Sequence, residues 1–288
     1  MEQNEFVSLV EGLEAYAREH PAAYKFRVGM LAALGYVMLL GTVLVVLLLI
    51  GVCLFFGAVN FVVIKFLIIP IGFAAVILRS MWVKFPKPEG HRLAQADAPR
   101  LFEVIQRIRI ATKGPKVHKV LLTGDFNASI VQRPRLGILG WQENYLMVGL
   151  PMLNALSPDE MRAIIAHEFG HLSGQHGTFS AWIYRVQQTW VQVLHNMQQN
   201  QRYGTELFER FFNWYSPYFS AYSFVLNRAT ELEADRYSVI LAGRQNAARA
   251  LINSELKQRA LDAEHWPEFF YGADTRPDPP EKIFSVML

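Results

Sequence analysis

The chain has 288 residues, 52% hydrophobic and only 18% charged, with a positive mean hydropathy of +0.15, so an ordinary water-soluble domain fits it poorly. Its 28 Lys and Arg against 25 Asp and Glu leave +3, too small a surplus for a basic nucleic-acid-binding surface, and no nucleic acid is expected as a partner. A single cysteine, Cys53, excludes an intrachain disulfide framework and a cysteine-based zinc cluster, so a metal site must draw on His and carboxylates.

Residues 1–27 place Phe6, Leu9, Val10, Leu13 and Ala17 at helical spacing, which predicts a short amphipathic helix. Residues 28–84 read as a membrane hairpin. Between Val28 and Leu78 the only charge is Lys65, and a bilayer crossing needs about 20 apolar residues, so the run is long enough for two helices. They are expected at about 29–51 and 59–80, with the turn near Gly51 to Asn60 and Lys65 snorkelling to the interface. Lys25 and Arg27 precede the first helix, Arg79, Lys84 and Lys87 follow the second, and the turn is uncharged. The positive-inside rule then places both termini and the domain that follows in the cytoplasm, making this an integral membrane protein, of the inner membrane if bacterial. The apolar run is too long, and too far from a basic N-terminus, for a cleaved signal peptide.

Phe85-Pro86-Lys87-Pro88-Glu89-Gly90 carries the breakers of a linker, and residues 91–288 are expected to form one domain. Its first helix follows Pro99 and ends before Gly114-Pro115; strands are predicted at Lys119 to Leu122, Ser129 to Gln132 and Tyr145 to Val148. Beyond them the pattern is helical. Ser157 as cap, Pro158 in the first turn and Glu160 completing a capping box open a helix containing His167-Glu168-Phe169-Gly170-His171. Four residues apart on a helix, His167 and His171 share a face and can grip one Zn²⁺, with Glu168 beside them. The chemistry this predicts is metal-assisted peptide hydrolysis, with Glu168 as the base that takes a proton from water and hands it to the leaving amine.

A catalytic zinc needs a third protein ligand, and two candidates compete. His176 nearly completes a local His pattern but stands one residue short of the metzincin spacing. Glu231, in Arg228-Ala229-Thr230-Glu231-Leu232-Glu233-Ala234-Asp235, lies four residues from Asp235, so one carboxylate can bind zinc while the other orients an imidazole. Glu231 is favoured on that ground. Phe211 to Leu226 and Phe179 to Leu194 are expected to be helices rather than convincing spans, the aromatic one lying at the bilayer surface or forming core and active-site wall. The tail, Ala273 to Lys282, is rich in proline and charge and reads as extended.

The pair His167 to His171 and Arg228 to Asp235 resembles the HExxH and RxxExxAD motifs of the HtpX and CAAX prenyl protease family, metallopeptidase family 48. Asn127-Ala128 sits where that family has an Asn-Ala-Phe-Ala motif, here followed by Ser129-Ile130 in place of Phe-Ala. The resemblance spans roughly Leu101 to Ala242. It implies an α+β, mainly helical protein: a transmembrane hairpin followed by a gluzincin-type zinc metalloprotease domain with a small sheet. It also implies one Zn²⁺ per chain on His167, His171 and Glu231, with Glu168 as general base and Asp235 behind a ligand. Asn127 and Ala128 would form a cleft edge where an extended substrate adds as a strand. Arg228 is either a structural ion-pair partner or a group that helps bind substrate or the oxyanion. The reading is therefore a membrane-anchored zinc endopeptidase acting on protein or peptide substrates at the cytoplasmic membrane face, in quality control or processing of membrane proteins. The alternative is a catalytically inactive zinc-binding membrane adaptor.

Overall fold

The computed structural model describes residues 2–56, 68, 71–72, 74–75, 87–134, 142–173, 179–180, 182–187, 189–191, 205–273 and 278. They divide into two compact units: Met1–Lys84 with Phe179–Ala229, and Phe85–Thr178 with Thr230–Leu288.

The first unit is helical. Helix α1, Gln3–Glu19, buries Val10 and Leu13, the stripe that the apolar spacing predicts. At His20 the backbone leaves helical geometry, and Pro21, with its φ already set and no N–H to lose, restarts it as α2, Pro21–Phe55. At 1.5 Å per residue, α2's 35 residues reach about 52 Å. It is the one helix among the described residues long and apolar enough to cross a membrane. Its buried positions, Tyr24, Val28, Ala32, Gly35, Leu39, Val43 and Val46, recur every three or four residues. That spacing makes a single stripe facing other protein. Much of its remaining surface beyond Arg27 is apolar and exposed: Leu44, Leu47, Leu48 and Phe55 are all more than half exposed. The Trp190 ring seats on Gly35, where a Cβ would come within 2.5 Å of it. Tyr24 and Tyr215 donate hydroxyl hydrogen bonds to the carbonyls of Tyr222 and Leu31 respectively. The expected second membrane helix lies outside the described residues, Lys65 included, except that residues 68, 71, 72, 74 and 75 are helical.

The second unit holds a four-stranded sheet of β1 (His91–Leu93), β2 (Lys119–Thr123), β3 (Ala128–Pro134) and β4 (Gln142–Gly149). The strand order is β1-β2-β4-β3, with β2 and β4 parallel and the outer pairs antiparallel. Register sets Val120 beside Leu146 and Leu122 beside Val148. Val120, Leu146 and Val148 join Ile105 and Ile108 of α3 (Pro99–Thr112) and Ile165 and Phe169 of α5 (Pro158–Leu172) in one core. A short α4, Leu150–Ala155, leads from β4 towards α5.

The helix start predicted at Ser157 is present: Ser157 Oγ accepts from the Glu160 N–H at 3.3 Å, and Glu160 Oε2 accepts from the Ser157 N–H at 2.8 Å. That backbone N–H, with help from Ser157 and Asn253, holds the Glu160 carboxyl below its usual pKa. Helix α6, Thr205–Ala242, carries both the aromatic run and the second zinc motif and contributes residues to both units. The chain continues through α7 (Arg244–Ala260), a five-residue π turn and α8 (Trp266–Ala273). Strand β1 and helix α7 are additions to the elements the sequence pattern singled out. The expected extended tail lies mostly outside the described residues.

Candidate metal centre and active site

Helix α5 projects His167 and His171 from one face, one turn apart. Helix α6 brings Glu231 and Asp235, also one turn apart, against them. His167 Nε2 and His171 Nε2 are 3.1 Å apart, and Glu231 Oε2 lies 3.4 Å from the first and 3.6 Å from the second. Together these residues form a group able to hold a metal ion, their ligand atoms all within 4.8 Å of one another. Tetrahedral ligands on zinc arms of 2.0–2.1 Å stand about 3.3 Å apart, so this triangle of two imidazoles and a carboxylate fits the ion. His176, the competing third ligand, lies outside the described residues.

Asp235 faces the other side of the His167 ring, its Oδ1 at 2.9 Å from Nδ1. Proton on Nδ1 and lone pair on Nε2 is the tautomer a metal ligand requires, and an adjacent carboxylate favours it. Burial holds His171 below the ordinary histidine pKa, against the opposing field of the Glu231 carboxylate.

Glu168 points towards the edge strand. Its Oε2 accepts from the backbone N–H of Ile130, on β3, at 3.3 Å. Burial pushes the carboxyl pKa up to about 7, outweighing the lowering by His167 and the Ile130 N–H. Beside it opens a cavity of about 410 Å³, lined by Asn127, Ala128, Glu168, Asp235, Ala247 and Leu251 among others. Asn127 enters the wall by backbone constraint, its carbonyl accepting from the Gly149 N–H at 2.8 Å. The opposite wall is α7. It is tied to the start of α5 by Asn253, whose Nδ2 donates to Glu160 Oε1 at 2.6 Å, and to the end of α4 by Lys257, which donates to the Ala155 carbonyl.

Thus His167, Glu168, His171, Glu231, Asp235, Asn127 and Ala128 all fall in the second unit, around the ligand triangle and its cavity. Arg228 does not line that cavity. It belongs to the first unit, where its Nη1 donates to Glu14 Oε1 at 2.6 Å. The motif reading missed the Ile130 N–H, Ala247, Leu251 and Asn253. The one available signal was the apolar spacing of Ala247, Ala250 and Leu251 in an otherwise polar helix.

A protein with two histidines and a glutamate converging beside a buried glutamate, on crossed helices under a small sheet, has the donor set of a hydrolytic metal site. Residues 125–282 match the model of peptidase family M48, more than half of the chain, and the chain belongs to that family of metallopeptidases. No curated protein and no solved structure matches it.

Proposed function

We propose that this chain is a membrane-anchored zinc endopeptidase that cuts protein substrates at the cytoplasmic membrane face. The observation that carries the reading is the ligand triangle: three donor atoms 3.1–3.6 Å apart, with Glu168 next in sequence to one of them. His167, His171 and Glu231 would hold the ion, and Asp235 would keep His167 in the ligating tautomer. Bound there, zinc supplies a Lewis acid for the substrate carbonyl and makes water more acidic. Glu168 Oε takes the proton from the attacking water and returns it to the departing amine. Burial supports that role, because a carboxyl raised towards neutrality both accepts and releases a proton near physiological pH.

Strand β3 pairs on one side with β4, and it carries Ala128 at the cavity wall and Ile130 over Glu168. An extended peptide added along it would lie across the ligand triangle. The adjoining cavity, walled by Ala163, Ala247, Ala250 and Leu251, suits a large apolar substrate side chain. Helix α2 supports the membrane anchor, since it is long and apolar enough to cross a bilayer and leaves many leucines exposed along its length. The basic flank at Lys25 and Arg27 supports the cytoplasmic orientation.

The test is Glu168→Gln in the full chain. It is expected to retain one zinc per protein while cleavage of membrane-extracted protein substrates falls by about 100-fold or more. Wild-type cleavage by the variant would remove Glu168 from the mechanism.

A further inference from the structure

Beyond the metal site, the second unit has another cavity, of about 590 Å³, between β1, α3 and the start of β2. Its floor is apolar, with Phe102, Ile105 and Val120, and its charged lining is entirely cationic: Arg92, Arg109, Lys116 and Lys119. Lys119 is partly neutralised, 2.9 Å from Glu143 on β4. Among the described residues, Arg92, Arg109 and Lys116 have no carboxylate partner. Asp97, five residues after Arg92, is turned to the backbone N–H of Ala94 at 2.8 Å. His118, also in the lining, accepts the Asn144 N–H on Nδ1 at 3.0 Å, which leaves Nε2 as its N–H donor.

Among the described residues, three cations without a carboxylate partner and an imidazole N–H line one concavity that has no acidic side chain in its wall. Its volume lies within the range of small-molecule sites. A phosphate group, with several acceptor oxygens and up to two negative charges, meets that set, and Arg is the residue that binds it in two-pronged fashion. We propose that this cavity binds a phosphate group whose organic substituent lies over the Phe102–Ile105 floor. The group can belong to an anionic phospholipid headgroup or to a free phosphate ester. The site is separate in residues and chemistry from the metal centre, so it stands whether or not the chain cuts peptides.

The test uses the zinc-loaded full chain in phosphatidylcholine nanodiscs. One arm titrates glycerol 3-phosphate; the other incorporates phosphatidylglycerol and counts retained lipid by native mass spectrometry. The triple variant Arg92→Gln, Arg109→Gln, Lys116→Gln is compared with Arg107→Gln, Lys113→Gln, Arg249→Gln, which removes the same charge away from the cavity. Each charge-assisted hydrogen bond lost should weaken binding about tenfold, so the cavity variant is expected to lose about 100-fold or more and the control a few-fold. Saturable binding in the first arm alone identifies a free phosphate ester, and in the second alone or in both a lipid headgroup; each supports the site. Binding in neither arm, or equal weakening in both variants, overturns it. Because the three substitutions relieve repulsion among clustered cations, the cavity variant without ligand should melt no lower than wild type, which separates lost binding from lost folding.

Discussion

Gly170 and Ala234 are where the two metal-bearing helices meet: a Cβ on Gly170 would lie 2.6 Å from the Ala234 Cα. Each sits one position before a site residue, His171 and Asp235. The small residues let the α5 and α6 backbones approach closely enough for imidazoles on one to meet carboxylates on the other. Gly170→Ala must therefore separate the helices or strain them, at a cost of about 1–3 kcal/mol as for other overpacked sites. The expected result is lower zinc affinity together with a lower melting temperature, read by metal titration and thermal unfolding. Unchanged zinc affinity would show that the contact does not set the ligand spacing.

Asp235 and Glu231 stand one turn apart but do different work. Asp235→Asn keeps the shape while losing the charge that favours the ligating tautomer of His167, and a loss of about 10–100-fold in zinc affinity is expected. Glu231→Ala should cost more, because it removes a donor, whereas His176→Ala should leave zinc content alone. Full zinc retention in Glu231→Ala would transfer the third ligand elsewhere.

The raised Glu168 pKa makes a prediction for the metal-free protein. With the folded value at about 7 and the unfolded one in the usual carboxylate range, Glu168 binds its proton more tightly when folded. Its contribution is therefore fully present at low pH and is lost as pH rises through about 7, a change on the order of 3 kcal/mol. Metal-free Glu168→Gln carries no such penalty. It should melt with wild type near pH 4 and several degrees above it at pH 8. A variant no more stable than wild type at pH 8 would mean that the carboxylate ionises without strain in its site.

The cavity beside Glu168 gives a specificity prediction. Ala247 is 6% exposed and lines it, so Ala247→Phe would fill space that a substrate side chain needs. Cleavage next to large apolar residues should fall, with the loss mainly in KM, while sites with Ala or Gly at that position are spared and zinc stays at one per chain. Peptide libraries varied at the residues flanking the cut measure this directly. A uniform loss across all sequences would point to general damage.

The zinc helix was legible because everything that defines it is local: Ser157, Pro158 and Glu160 begin it, and four-residue spacing aligns His167 with His171. The same holds for β2, β3 and β4, whose alternation and flanking breakers give positions within a few residues. Joining Glu231 to those histidines, about 60 residues away, rested on its four-residue spacing from Asp235, which offers a ligand and a partner for an imidazole, and on the family resemblance of the two motifs. Strand β1 has three residues, two of them polar, and exists by pairing with β2, which no local pattern reveals. Helix α7 exposes most of its surface and buries mainly Ala247 and Ala250, so its apolar face is too slight to announce a cavity wall. Arg228 belongs to a recognisable motif, yet its partner Glu14 lies 214 residues away, beyond any spacing rule.

Glu160 has a wider influence than a helix cap. One of its oxygens begins the helix that carries His167 and His171, and the other holds Asn253 of α7, the helix whose Ala247 and Leu251 line the cavity beside Glu168. Metal geometry and side-chain choice are thereby referred to a common anchor about two turns from the metal. Residues on the inner face of α7 can vary the fit of a substrate around that anchor without disturbing the ligands. A change at Glu160 itself would release both together, so a residue that touches neither zinc nor peptide keeps recognition in register with cutting.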